Sequence, residues 1–240
     1  MKSSEEVKKD FLQLLLEKDS LKVAKDFNSF FVLKSGRKSP TFINIGALTD
    51  GESLIGLKEA YSSFIYNLLQ EKKIKKFDFI FGPAYKGINL ACLACVGLAE
   101  KGINVRYLYD RKEEKTYGDQ TADKLIVGAN HFKEGSKILL IDDVITTGAA
   151  KFEALEKIKV LGRHEIVGLI LAVDRQEKMG DAVNIENYSA VENIEKEYGI
   201  KTFSILTTKE IFHSVKDSLK EEIKNTWIEY CDRYGTVNLS

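Results

Sequence analysis

The stretch Lys137-Ile-Leu-Leu-Ile-Asp-Asp-Val-Ile-Thr-Thr-Gly-Ala-Ala150 decides how this chain folds. Residues 138–141 form an unbroken apolar run, the pattern of a strand covered on both faces of a parallel sheet, and residues 151–161 then carry helical spacing. Asp142 and Asp143 therefore stand at the carboxyl end of a strand, where open α/β sheets place their ligands. Beyond them Val144, Ile145, Thr146, Thr147, Gly148, Ala149 and Ala150 lead into the next helix. From Thr146 onward this turn would present successive backbone N–H groups at a helix start, where the orphan donors and the dipole favour an anion such as phosphate. Small side chains there let the anion approach the backbone. Carboxylates repel phosphate, so Asp142 and Asp143 read as acceptors for neutral hydroxyls such as those of a ribose. The same residues also fit a strand, an Asx turn and an ordinary capped helix.

Outward from this unit the chain alternates strands and helices. Ser3 followed by Glu6 has the form of a capping box, and Val7, Phe11, Leu14 and Leu15 then share one helical face. Leu54, Leu57, Tyr61, Phe64, Ile65 and Leu68 recur at helical spacing over 53–69. Further strands are expected at 77–81, 105–109, 165–173 and 202–206, with a helix from the Gly82–Gly87 turn to about residue 101. Ser189 with Glu192 and Thr207 with Glu210 are two more capping boxes. Residues 27–33 and 41–45 read as extended segments enclosing the polar turn 34–40, and 110–124, without apolar periodicity, reads as a mobile loop. The pattern predicts an α/β fold, a mainly parallel sheet with helices on both faces.

Composition narrows the function. At 240 residues the chain can build one substantial core, and nothing demands a second domain. Lys+Arg and Asp+Glu both count 36, so no net positive field draws the protein towards nucleic acid or an anionic membrane, and any anion site must be local. The amino terminus mixes Glu5, Glu6, Lys8, Lys9 and Asp10 with apolar residues, which fits neither a signal peptide nor a membrane span and leads us to expect a cytoplasmic protein. Three cysteines argue against a disulfide scaffold. Cys92 and Cys95 form a Cys-x-x-Cys pair, but no second Cys/His pair lies nearby, and Ala91, Leu93, Ala94 and Val96 give the segment the look of a buried helix. His131, His164 and His213 are scattered at no metal-ligand or triad spacing.

Four separate segments carry candidate ligands: Lys34 to Lys38, Tyr85-Lys86, Arg111 to Lys115, and the turn after Asp142. In an α/β sheet the last three lie at one edge, where Lys86, Arg111, Lys112 and Lys115 could hold two phosphate groups and a leaving diphosphate. The set Phe31-Val-Leu-Lys-Ser-Gly-Arg-Lys-Ser-Pro40, Phe81-Gly-Pro-Ala-Tyr-Lys-Gly87, Arg111-Lys-Glu-Glu-Lys115, Ile141-Asp-Asp-Val-Ile-Thr-Thr-Gly148 and Asp174-Arg-Gln176 resembles the orotate phosphoribosyltransferase family, in consistent order over roughly residues 5–215. The acidic pair with Thr-Thr-Gly marks the wider type I phosphoribosyltransferase class. The Lys-Ser-Gly-Arg-Lys-Ser-Pro turn and the Asp-Arg-Gln end point to the orotate family within it.

The resemblance implies a type I phosphoribosyltransferase fold in a single domain over 1–240, with 1–48 giving an N-terminal helix and a small β hood and 207–240 a C-terminal helical extension. It implies formation of orotidine 5′-monophosphate and diphosphate from orotate and phosphoribosyl diphosphate, with Mg²⁺ held mainly through the substrate. Asp142 and Asp143 would hold the ribose hydroxyls, Thr146 to Ala150 would bind the 5′-phosphate, Lys34, Tyr85, Lys86, Arg111, Lys112 and Lys115 would surround the diphosphate, and Val144, Ile145 and Tyr117 would complete the phosphoribosyl diphosphate site. Lys115, Arg111, Asp142 and Asp143 would be the catalytic set. Orotate would lie over Phe42 beside Ile43, its carboxylate meeting Arg175 and the Thr146 region. The family's dimer sends the 110–124 loop into the neighbouring active site. Two positions depart from the family pattern: Ile43, where a second aromatic is usual, and Tyr117, where bacterial members commonly carry His. Ile43 offers only apolar contact, and Tyr117 can donate to a phosphate oxygen but brings no imidazolium charge.

Three other readings compete. A phosphoribosyltransferase for another base is disfavoured because the Arg175 fork suits a carboxylate, which purines lack. A non-catalytic phosphoribosyl diphosphate sensor would not need the polar loop. A fused decarboxylase would need a second domain, for which only about 25 residues remain after the matching pattern.

Overall fold

The computed structural model describes residues 2–111, 125–145 and 149–240. Helix α1 (Ser4–Glu17) starts at a reciprocal capping box, the Ser3 hydroxyl accepting from the Glu6 N–H while the Glu6 carboxylate accepts from the Ser3 N–H. Four short strands follow: β1 (Leu21–Val23), β2 (Phe31–Val32), β3 (Lys38–Ser39) and β4 (Thr41–Ile43). Then come α2 (Gly51–Gln70), β5 (Phe79–Phe81), α3 (Lys86–Glu100), β6 (Arg106–Asp110), β7 (Ile126–Val127), β8 (Lys137–Val144) and α4 (Ala149–Ile158). The last part comprises β9 (Glu165–Asp174), β10 (Lys178–Gly180), β11 (Ile185–Ser189), α5 (Ala190–Tyr198), β12 (Thr202–Thr207), α6 (Thr208–Val215) and α7 (Glu221–Tyr234).

The central sheet has the order β12-β9-β8-β5-β6-β7, parallel throughout except for the β6–β7 pair. β8 explains why its sequence is apolar without alternation. Leu139 and Ile141 enter one hydrophobic cluster, with Phe11, Tyr61, Ile65 and Leu98 from α1, α2 and α3. Ile138 and Leu140 enter the other, with Leu155, Ile158 and Ile194 from α4 and α5. Both faces of the strand are dry, as a parallel strand under two helical layers must be. The expected capping boxes at Ser189/Glu192 and Thr207/Glu210 form and start α5 and α6.

The N-terminal strands pair differently from the sequence expectation. Residues Phe27–Ser29 make a 3-10 turn, because Asp26 turns its carboxylate onto the N–H groups of Asn28 and Ser29. β2 pairs with β3 inside the polar turn, and β4 pairs antiparallel with β1. The β10–β11 hairpin and the short β7 go beyond the sequence expectation; β7 and β10 are too brief to show a period of two, and β11 does not alternate in burial. The segment read as a mobile loop is flanked by a backbone bond, the Arg111 N–H donating to the Leu125 carbonyl at 2.8 Å, while 112–124 itself lies outside the described residues. Among the described residues no helix is long and apolar enough to cross a membrane.

Candidate active site

A cleft of about 560 Å³ opens between the N-terminal strands and the carboxyl ends of β5, β8 and β9. Lys34, Phe42, Ile43, Tyr85, Lys86, Asp142, Asp143, Val144 and Arg175 all line it, so the fold gathers into one place residues that the sequence offered in separate segments.

Asp142 and Asp143 occupy the last turns of β8 and are each 6% exposed. Asp143 is ion-paired with Lys86, Nζ to Oδ2 2.8 Å, and the Asp142 carboxylate accepts the N–H of Asp143 at 2.8 Å. Beneath them the fully buried Tyr61 donates its hydroxyl to the Asp142 carbonyl at 2.8 Å. Burial, with the two carboxylates adding to it, raises the Tyr61 phenol well above its ordinary value, so it stays a neutral donor. The Lys86 stem runs across Gly46, where a β-carbon would stand 3.3 Å from Lys86 Cε and 3.2 Å from Asn44 Oδ1. A bare backbone at this position leaves the lysine its route into the cleft.

The β5–α3 turn that carries Tyr85 and Lys86 is held from below. Asp110, 3% exposed at the end of β6, accepts the Ala84 N–H on one oxygen at 2.6 Å and Lys157 of α4 on the other at 3.0 Å. Lys157 also donates to the Arg111 carbonyl at 3.2 Å. One buried carboxylate thus ties the turn to the strand edge and to α4. The turn is tight: a β-carbon on Gly82 would collide with the Gly87 carbonyl oxygen, and Gly87 faces Pro83 Cδ with the same intolerance. Tyr85 projects outward, 72% exposed.

On the opposite wall the Phe42 ring stacks on Phe31, centroids 5.6 Å apart and planes at 28°, while Ile43 lines the cleft beside Phe42. Arg175 pairs with Glu177, Nη2 to Oε1 2.5 Å. Arg37, part of the basic turn, points inward rather than into the cleft. It is 2% exposed, donates to the carbonyls of Lys178, Met179 and Asp181, and lies 4.7 Å above the Tyr234 ring. Lys34 of the same turn faces the cleft.

The remaining sequence-predicted residues fall into two groups. Lys112, Lys115, Tyr117, Thr146, Thr147 and Gly148 lie outside the described residues. Arg111 stands just past β6, its Nε buried and without a hydrogen-bond partner among the described residues; Ile145 is 5% exposed in the core on the α4 side, and Ala149 and Ala150 open α4. Tyr61, Asp110, Lys157 and Glu177 escaped the sequence reading. Glu177 directly follows the Asp-Arg-Gln segment, a signal within reach; Tyr61 and Lys157 are single polar residues inside helix patterns, and Asp110 reads as the start of the polar loop.

No protein-family model matches the chain. The chain is 38% identical over 235 residues to the orotate phosphoribosyltransferase of Bifidobacterium adolescentis, covering 94% of this chain and 96% of that one. It is 38% identical over 237 residues to orotate phosphoribosyltransferase 2 of Saccharomyces cerevisiae, with 97% of each covered. Among solved structures, orotate phosphoribosyltransferase of Francisella tularensis superposes with a TM-score of 0.77 at 33% identity, over 94% of this chain and 99% of that one.

Proposed function

The chain belongs to the orotate phosphoribosyltransferase family, and we propose that the cleft under Phe42 is where it performs the family's reaction. The enzyme transfers the 5-phosphoribosyl group from phosphoribosyl diphosphate to orotate, giving orotidine 5′-monophosphate and diphosphate, a step of pyrimidine biosynthesis. One observation supports the location above the rest: a buried carboxylate pair at a strand end shares a single cleft with an aromatic face, a lysine and an arginine.

In this reading Asp142 and Asp143 accept the ribose hydroxyls. Donor binding exchanges the Lys86–Asp143 contact of 2.8 Å, freeing the ammonium for the diphosphate. Lys34, Tyr85 and Lys86 then face the leaving group, joined by Arg111, Lys112, Lys115 and Tyr117, while Thr146 to Ala150 cradle the 5′-phosphate at the start of α4. Orotate lies on the free face of the Phe42–Phe31 stack beside Ile43, with its carboxylate on Arg175 and near Thr146. The displacement at the anomeric carbon makes the ring cation-like as the diphosphate gains charge; no covalent nucleophile takes part. Cations fixed around the leaving group lower that barrier, and exclusion of water protects the donor from hydrolysis.

Magnesium accompanies the donor in this family. Such an ion would take most of its oxygens from the diphosphate and ribose, with Asp142 and Asp143 as the protein carboxylates lining the cleft. Bound there, it would share the negative charge of the leaving group. We extend the reading to a cytoplasmic homodimer in which residues 110–124 reach the neighbouring site, and to one domain over 1–240 with 1–48 as helix and hood and 207–240 as its C-terminal part.

The test is direct. Protein, magnesium, phosphoribosyl diphosphate and orotate are mixed and the loss of orotate absorbance followed, in parallel with uracil, adenine and hypoxanthine. Turnover with orotate alone is expected. Turnover with a purine but not orotate would overturn the acceptor, and donor binding without turnover of any base would favour a sensor.

A further inference from the structure

Arg175 and the C-terminal helix α7 are joined through one side chain. Glu177 accepts Arg175 Nη2 at 2.5 Å and the Tyr230 hydroxyl at 3.1 Å on the same oxygen, Oε1, and its other oxygen receives Arg37 Nη1 at 3.5 Å. All four side chains are largely removed from water, with Glu177 at 17% and Arg37 at 2% exposure. The backbone reinforces the link: Glu177 bridges antiparallel to Gly235, and the Thr236 N–H donates to the Gln176 carbonyl at 2.8 Å. The loop after β9 is therefore stitched to the residues that end α7.

We propose that Glu177 is the positioning residue that aims Arg175 at the acceptor's carboxylate, with Tyr230 of α7 holding Glu177 in place. The inference rests on the reading that Arg175 meets orotate. An arginine is a long side chain with much rotamer freedom, and a planar fork recognises a carboxylate only when its plane is fixed. Glu177 removes that freedom by anchoring one guanidinium edge against a wall that is itself anchored twice. Its charge is not wasted. Arg37 and Arg175 contribute two positive charges and Glu177 one negative, so the cluster keeps one net positive charge towards an incoming anion. Arg37 cannot supply that charge directly, since its donors are committed to three backbone carbonyls.

The experiment measures the Michaelis constants of both substrates in the full-length chain for Arg175→Ala, Glu177→Gln, Tyr230→Phe and the Arg175→Ala/Glu177→Gln double variant. Arg175→Ala is expected to raise the orotate KM about tenfold or more and to leave the phosphoribosyl diphosphate KM within about twofold. Glu177→Gln should raise the orotate KM about fivefold with the same selectivity, and nothing further in the Arg175→Ala background. Tyr230→Phe, which removes a single hydroxyl, should raise it about twofold, and it decides the matter if Glu177→Gln fails to fold. If Arg175→Ala spares the orotate KM, the acceptor assignment and this inference both fall. If Arg175→Ala raises it while Glu177→Gln and Tyr230→Phe leave it unchanged, lower it, or raise both substrates' KM alike, only the positioning role falls.

Discussion

Two adjacent carboxylates at 6% exposure would be an expensive arrangement if left alone, and Asp142 and Asp143 are compensated by unequal means. Asp142 accepts a backbone N–H, while Asp143 holds the Lys86 ammonium, whose side chain is itself 53% exposed. The intact pair, with one partner half in water, is worth only about 0–1 kcal/mol, but Asp143 left alone carries the cost of an uncompensated buried charge. In the proposed reading Lys86 has a second use, at the diphosphate leaving group. Lys86→Ala leaves the buried Asp143 without its ion-pair partner and is expected to lower the thermal midpoint by several degrees. In the same variant kcat should drop about 10²-fold or more, the scale of losing one preorganised charge donor at the leaving group. A midpoint shifted far downward with normal turnover of the remaining folded protein would reverse the assignment and make Lys86 a structural residue.

At the scale of elements, what the sequence revealed was local and what it hid was not. β8 with its acids, the three capping boxes and the helical stripe of α2 depend on residues a few positions apart, and the structure carries each as read. The β2–β3 pairing escaped because the two strands are two residues each, held by Arg37 reaching carbonyls more than 140 positions away. Asp110 looked like the first residue of a polar loop, and only folding brings it beneath Ala84 and beside Lys157. The gathering of Lys86 and the turn after Asp142 at one sheet edge was legible in the strand pattern, whereas the approach of Lys34 and Phe42 to that edge from the N-terminal segment belongs to the tertiary fold. The β5–α3 turn exposes this dependence to test. Gly82→Ala puts a methyl group against the backbone of Gly87, and no side-chain rotation relieves a clash with a carbonyl. We expect a loss of about 3 kcal/mol in urea unfolding together with weakened phosphoribosyl diphosphate binding, because the turn that carries Tyr85 and Lys86 must move. An alanine variant with unaltered stability and donor affinity would mean that the turn is looser than its geometry requires.

For the molecule as a whole, α7 is the element whose importance the sequence understated. It reads as an extension beyond the transferase pattern, yet Trp227 is 1% exposed, packs edge-on against Phe212 at 5.2 Å, and belongs to the same cluster as Phe11, Tyr61 and Ile141. Ile223 and Cys231 are buried beside it, and burial pushes the Cys231 thiol up to about 12, so it behaves as an apolar group. The C-terminus thus closes the hydrophobic layer on the α1–α2 face of the sheet and at the same time reaches the cleft through Tyr230 and Glu177. A Trp227→Ala variant separates these two roles, since it empties the core contact and leaves Tyr230 in the sequence. Truncating a fully buried Trp costs about 3–5 kcal/mol, a large part of the roughly 5–15 kcal/mol that holds a domain together. Urea unfolding should show an unfolding free energy lowered by that amount, with one cooperative transition followed by fluorescence of the tyrosines and by circular dichroism. Because the loop carrying Arg175 is stitched to the end of α7, the orotate KM of this variant should also rise with temperature well below the unfolding midpoint, while the wild-type value changes little over the same range. A cost below about 1 kcal/mol would return α7 to the periphery and leave the closing of that core to the sheet and its other helices.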